Sequence, residues 1–321
     1  MDLTIIIPTK DRPDYLKQLI SYYQDFKFKG KIFILDSSTK RNFVKSKSII
    51  NSCSIKKNIK HERLIGRPFE CTAEIRSKIT TNFVCWSGDD DLFLVSGLIR
   101  IIKILKKNTN ISAINGLTIT FALKDKLKKK YSFAVYQNFS SEKKIPLERL
   151  LDMFKNYKVP IFSIFKTKDF NKMLEYVPLK KNRNICPTRI IHDELLESFL
   201  LVFFNKIRFY KIPYLIRMIP PKKFAKPIDK HRPQSPKDLK SFLFIEKIFL
   251  RLIRNKNDKI RFKNEYNNFT NNLYKNKKLY KYFKRLERLI YLFKSILEKN
   301  ILKSSKKFKE FDLVIQWMIK N

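Results

Sequence analysis

The chain has 321 residues, 44% of them hydrophobic and 31% charged, a balance that supplies a sizeable core and excludes disordered and fibrous classes. Seventy Lys plus Arg against 29 Asp plus Glu give a net charge of +41, a field that attracts polyanions or an anionic membrane surface. Basicity alone does not make nucleic acid the partner, and the aromatic-and-basic recognition signatures are missing.

In chain order, Thr4-Ile5-Ile6-Ile7-Pro8 is a β-branched run stopped by Pro, as expected of a strand buried on both faces of a parallel sheet. Asp11-Arg12-Pro13 then supplies a helix start, with Leu16, Leu19, Ile20 and Tyr23 at helical spacing. Lys31 to Leu35 reads as a second strand ending in Asp36-Ser37-Ser38, polar residues at the strand end where open α/β sheets place ligands. A helical stretch from about Phe69 to Ile79 precedes an apolar strand, Asn82 to Trp86, which runs into Ser87-Gly88-Asp89-Asp90-Asp91. Leu98 to Leu105 is helical and Ile111 to Ala122 strand-like, so the first half alternates strand and helix around a mainly parallel sheet.

All five Gly lie within the first 116 residues, which concentrates there the turns expected to need positive φ. Residues 220–236 hold five Pro among lysines and read as a loop or linker. The organisation expected is a domain over residues 1–220, a Pro/Lys-rich linker over 221–240 and a basic helical region over 241–321. Residues 222–321 carry 28 Lys plus Arg against 9 Asp plus Glu. Within them Leu279, Phe283, Leu286, Ile290, Phe293 and Leu297 form one apolar helical seam, suited to packing on the domain or on a second copy, or to lying on a membrane surface.

Cys53, Cys71, Cys85 and Cys186 show no C-x-x-C pairing and no secretory signal precedes them, which suggests reduced thiols in the cytosol. The longest apolar run, Phe199 to Phe204, is far short of the ~20 residues that cross a bilayer. Any membrane contact is expected to be peripheral, at the inner face of the cell membrane.

The most informative segment is Asp89-Asp90-Asp91. Three consecutive carboxylates at the end of an apolar strand repel one another and lose hydration unless a cation or hydrogen-bond donors compensate. Mg²⁺ or Mn²⁺ fits that role, taking one or two carboxylates and filling its other positions with water and phosphate oxygens.

The segment from Thr4 to Leu16 resembles the opening strand and loop of the family 2 glycosyltransferases, whose fold is the nucleotide-diphospho-sugar-binding α/β fold called GT-A. Ile34-Leu35-Asp36-Ser37-Ser38 is similar to that family's second strand, Arg76 lies where an Ala-Arg-Asn stretch precedes its third strand, and Asp89-Asp90-Asp91 resembles its D-x-D metal motif. The resemblance implies a metal-dependent, inverting glycosyltransferase. Its donor would be a nucleotide sugar, a UDP-sugar first of all, and its acceptor a carbohydrate or a lipid-linked saccharide, as in surface polysaccharide assembly.

By the same resemblance Pro8, Thr9, Asp11, Arg12, Asp36, Arg76, Asp89 and Asp90 contact the donor, and Asp90 and Asp91 contact the metal. His231, set between Pro residues, is a separate candidate to close over the diphosphate as part of a mobile lid and add a metal ligand or a positive charge. Many members read Asp-x-Asp-Asp where this chain has Gly88-Asp89-Asp90-Asp91, so either Asp90 or Asp91 is the principal ligand. Ile191-His192-Asp193-Glu194 resembles the family's Glu-Asp motif with His in place of Glu, which makes Asp193 the candidate base. Asp11 and Asp193 are equally suited to cap helices, Arg76 to a helix surface, and His231 to a solvated loop. Two other readings are a basic module for nucleic acid or anionic lipid, and a nucleotidyltransferase of related fold. The second is disfavoured because residues 1–30 lack a Gly-rich phosphate loop.

Overall fold

A computed structural model describes residues 1–125, 130–177, 190–218, 236–275 and 309–320. At its centre is strand β1 (Leu3–Thr9), whose Ile5, Ile6 and Ile7 are almost wholly buried. Helix α1 (Pro13–Asp25) follows, its Pro at the first turn and its inner face built from Leu16, Leu19, Ile20, Tyr22 and Tyr23. Strand β2 (Lys31–Asp36) lies parallel to β1. Helix α2 (Lys40–Ser52) leads to strand β3 (Ile59–Arg63), which lies parallel to β2 at one edge of the sheet.

Helix α3 (Pro68–Glu74) and a 3₁₀ turn at Arg76–Lys78 occupy the helical stretch expected before strand β4 (Phe83–Trp86). β4 pairs in parallel with the other side of β1. The acidic triplet then turns into strand β5 (Asp91–Phe93) and helix α4 (Val95–Lys107). Strands β6 (Ala113–Asp125) and β7 (Lys130–Gln137) form an antiparallel pair. Next come helix α5 (Pro146–Lys155), strand β8 (Ile164–Lys166), helix α6 (Thr167–Leu174), helix α7 (Ile190–Phe204) and strand β9 (Ile207–Met218).

The strands join in one sheet of order β3-β2-β1-β4-β8-β6-β9-β5, with β7 on β6. The α/β class is as expected. Parallel pairing dominates the half built from β1 to β4; beyond it β8 runs antiparallel to both β4 and β6, and β5 antiparallel to β9.

The glycines depart from expectation, since none has positive φ; Asp11 (φ 54°) and Lys27 (φ 52°) take that region instead. Close approach explains two of them. A Cβ on Gly97 would stand 2.3 Å from the Pro213 carbonyl oxygen, and one on Gly116 would stand 2.2 Å from that of Ile212, so both let β9 press against α4 and β6.

Helix α7 is apolar around its whole circumference, with Leu195, Leu196, Phe199, Leu200, Leu201 and Val202 all buried, and such a helix needs cover on every side. Helices α8 (Pro236–Leu252) and α9 (Lys256–Lys275) provide part of it. The Phe199 ring centroid lies 5.1 Å from that of Phe154 on α5, 6.2 Å from Phe249 on α8 and 5.6 Å from Phe269 on α9. Helix α10 (Lys309–Lys320) returns to α1 and the start of α4. Its Trp317 indole donates to Asp25 at 2.7 Å, and its Glu310 accepts from the Ser96 backbone N–H at 3.1 Å and from the Ser96 hydroxyl, which caps the start of α4 from the far end of the chain. The seam from Leu279 to Leu297 lies outside the described residues. Among the described residues no helix is long and apolar enough to cross a membrane.

Candidate active site

The carboxyl ends of β1, β2 and β4 converge on one crevice. Two hydrogen bonds extend the β1 ladder past the neighbouring strands: Ser37 N–H to the Thr9 carbonyl and Ser87 N–H to the Ile6 carbonyl, both at 2.9 Å. They pin the loops after β2 and β4 against the end of β1. The cavity between them holds about 230 Å³, with Pro8, Thr9 and Ser37 from the strand ends, Gly66 and Pro68 from the start of α3, and Arg12 and Asp89 at one side. Cys71 also lines it, its thiol 3.5 Å from the Leu64 carbonyl.

Of the acidic triplet Asp89 lines this cavity, while Asp90 and Asp91 follow it in the turn and are not among the lining residues. Asp89 is 5% exposed and accepts from the Thr9 hydroxyl at 2.7 Å. Arg12 spans two of the three carboxylates, donating to Asp89 at 2.7 Å and to Asp90 at 2.9 Å, with its guanidinium stacked 3.9 Å over the Tyr15 ring. A planar fork with several donors is what such a bridge requires. Asp91 sits at 4% exposure with Arg217, its partner across the β5–β9 pair, 3.6 Å away. Asp90 is the most open of the three, its side chain 24% exposed.

Burial pushes the Asp89 carboxyl up to about 6, against the lowering contributed by Thr9 and Arg12. Burial likewise pushes Asp91 up to about 7, against Arg217. Arg12 and Arg217 therefore only partly offset the cost of burying these two carboxylates.

A divalent cation fits this donor set. A Cβ on Gly88 would stand 2.9 Å from Asp90 Oδ1 and 3.0 Å from Asp91 Oδ2, so a hard oxygen of each carboxylate borders the space over that glycine, with Asp91 Oδ2 also 3.6 Å from Arg217. No group of three or more His, Cys, Asp or Glu among the described residues forms a complete protein cage. Mg²⁺ and Mn²⁺ sites that use one or two carboxylates with water and substrate phosphate do not need one. Asp90 and Asp91 are the residues that could hold the ion.

The other expected site residues fall in different places. Pro8, Thr9 and Arg12 line the cavity. Asp11 is exposed and caps α2 rather than α1: its Oδ1 accepts from the Thr39 N–H (2.9 Å), the Thr39 hydroxyl (3.0 Å) and Asn42 (2.9 Å). The Asn42 hydrogen bond, with those from Thr39, holds its carboxyl below the ordinary range. Asp36 is fully buried beneath the cavity, with the Ser38 N–H on one oxygen and His61 Nε2 on the other, each at 2.9 Å. Burial pushes its carboxyl up, and these hydrogen bonds more than offset that and hold it below the usual range.

Arg76 ends the α3 segment with its guanidinium on the Ala73 carbonyl at 3.4 Å, and it is not among the cavity-lining residues. Asp193 lies in the first turn of α7, but its side chain is outside the described residues, as is His231. Sequence reasoning missed Arg217 and His61. The signal for Arg217 was an apolar run, Tyr214-Leu215-Ile216, that carries Arg217 directly after it.

No protein-family model matches the chain, and no curated protein matches it. Among solved structures it is similar to S. aureus TarS, at 16% identity and a TM-score of 0.53 over 84% of this chain and 43% of that one. It is also similar to the TarS fragment 1–349 in complex with UDP-GlcNAc, at 14% identity and a TM-score of 0.51 over 84% of this chain and 72% of that one. The chain thus spans less than half the length of the full TarS chain. These likenesses establish the fold, which is of the GT-A kind.

Proposed function

We propose that the chain is a metal-dependent glycosyltransferase that moves a sugar from a nucleoside diphosphate sugar to an acceptor hydroxyl with inversion. The observation that carries this reading is the crevice at the ends of β1, β2 and β4, where an acidic wall of three successive carboxylates, with Asp89 in the lining and Asp90 and Asp91 next to it, borders a cavity lined by Thr9, Arg12 and Ser37. Anionic diphosphate alone would be repelled by that wall. Asp90 and Asp91 would hold a divalent cation, which when bound would reverse the sign and supply Lewis-acid compensation for the charge that grows on the departing diphosphate.

The chain's own residues divide the remaining work. Thr9 and Arg12 fix the orientation of Asp89 and Asp90, and Arg12, which lines the cavity, is the proposed partner of a phosphate oxygen. Ser37 and Pro8 bound the cavity where the base and ribose would lie; Asp36 supports that floor from below through Ser38 and His61. Asp193 at the head of α7 is the proposed base. It accepts the acceptor's hydroxyl proton as the oxygen bonds to the anomeric carbon and the bond to diphosphate breaks.

A UDP-sugar is the donor favoured, in keeping with the UDP-GlcNAc bound by the TarS fragment. The acceptor proposed is a carbohydrate or lipid-linked saccharide, reached at the inner membrane face through the basic surface. On this reading His231, outside the described residues, is proposed to add a metal ligand or a positive charge at the diphosphate.

Replacing Asp90 and Asp91 together by Asn should abolish Mn²⁺-dependent binding of a UDP-sugar in calorimetry while circular dichroism shows the fold intact; undiminished binding would contradict the proposal. The metal should also be pH-sensitive in a particular window. Because burial raises Asp89 to about 6 and Asp91 to about 7, lowering the pH from about 7.5 to about 5.5 adds protons to carboxyls that ordinarily titrate near 4. Mn²⁺ affinity should therefore weaken as pH falls through that window, and a flat profile down to about pH 5 would rule out these carboxyls. For the base, Asp193→Asn should leave donor affinity within about twofold and lower kcat by about 10²-fold or more. Loss of donor binding in step with turnover would remove Asp193 from that role.

A further inference from the structure

A second cavity, of about 330 Å³, opens on the sheet edge between α2 and β3. Its volume is at the lower end for small-molecule sites. The floor is apolar, made by Phe43, Ile50 and Ile59, with the Phe43 and His61 rings stacked at 4.4 Å. Lys47, Lys56 and Lys57 form the rim, all exposed. Residues 40–63 hold eight Lys plus Arg and one acid, Glu62, and Glu62 is already taken by Lys78 at 2.6 Å. None of the three rim lysines is in an ion pair among the described residues. An anionic occupant would therefore meet three ammonium groups with no local carboxylate to displace, above an apolar surface that suits a carbon skeleton.

We propose that this cavity is a binding site for a phosphate ester, separate from the donor crevice. A phosphate group offers three acceptor oxygens to three lysines, and lysine serves as a point-charge phosphate ligand. The site is tied to the donor crevice by a chain of contacts. His61 hydrogen-bonds Asp36, Asp36 accepts from Ser38 N–H, and the Ser38 hydroxyl accepts from Asp11 N–H at 2.7 Å. Helix α2, one wall of the cavity, is latched at its start to the Asp11 carboxylate, next to Arg12. An occupant that draws α2 and β3 together is thus registered at His61.

The test uses the full chain and imidazole NMR, which has only three histidines to assign. Titration with inorganic phosphate and with glycerol 3-phosphate, against sodium chloride at matched ionic strength, should give a saturable shift of the His61 ring that chloride does not give. In K47E/K56E/K57E the apparent affinity should fall at least about tenfold, the equivalent of ~1.4 kcal/mol, while Mn²⁺-dependent UDP-sugar binding persists. K56Q/K57Q, which keeps the side-chain stems, should show a smaller loss and controls for misfolding. A His61 response equal in phosphate and chloride, or one unchanged in the charge-reversed variant, would overturn the proposal. Once a saturable response is seen, co-sedimentation with phosphatidylglycerol vesicles separates the sources. Vesicle binding abolished by K47E/K56E/K57E assigns the phosphate to a lipid headgroup, and vesicle binding unaffected by it assigns a soluble ester.

Discussion

Three adjacent carboxylates at the end of a buried strand are the constraint around which the rest of the crevice is arranged. An ionised carboxylate out of water costs several kcal/mol unless paired and hydrogen-bonded, and two of the three, Asp89 and Asp91, are about 95% buried. The fold answers with two arginines from opposite directions: Arg12 from the loop after the first strand and Arg217 from the last strand. Because a guanidinium keeps its proton at any physiological pH, both offset charge permanently. Burial still holds the Asp89 and Asp91 carboxyls above the ordinary range against both arginines.

The same segment connects the ends of the chain. Ser87 is fastened to β1, Asp91 to Phe93 are paired with β9, and the Phe93 carbonyl accepts from the Tyr22 hydroxyl at 2.9 Å. Tyr22 and Trp317 have ring centroids 5.5 Å apart, so helix α10 lies directly behind the helix that holds the acidic strand. C-terminal residues thereby support a site whose polar groups come chiefly from residues 8–91.

Much of this was legible in the sequence where one physical signal dominated. The isoleucine run of β1, the Pro at the start of α1 and the apolar strand running into three Asp each have a single reading, and each element lies where expected. Less legible were segments with weak or mixed pattern. Helix α2 buries only Ser46 and Ile50 fully, too little for an apolar stripe. β3 reads Ile-Lys-His-Glu-Arg, the charged composition of an edge strand. The short β8 has three residues.

Roles were harder than elements, because a side chain's partners come from distant parts of the chain. Asp11 looks like the cap of the helix it precedes, yet positive φ turns it toward Thr39 and Asn42 at the start of the next helix. Asp36 looks like a free acceptor at a strand end until His61, 25 residues on, closes it off. The glycines looked like turn residues, and at positions 97 and 116 the approach of β9, nearly a hundred residues later, is what excludes a side chain.

The central claim is that Asp90 and Asp91 hold a divalent cation which in turn holds a diphosphate. Pulsed electron paramagnetic resonance of the full chain with Mn²⁺ and UDP reads that bridge directly, through hyperfine coupling between the metal and phosphorus. Protein-bound Mn²⁺ coupled to both phosphorus nuclei is the expected result. Bound Mn²⁺ with no phosphorus coupling, or UDP binding that is indifferent to the metal, would contradict it.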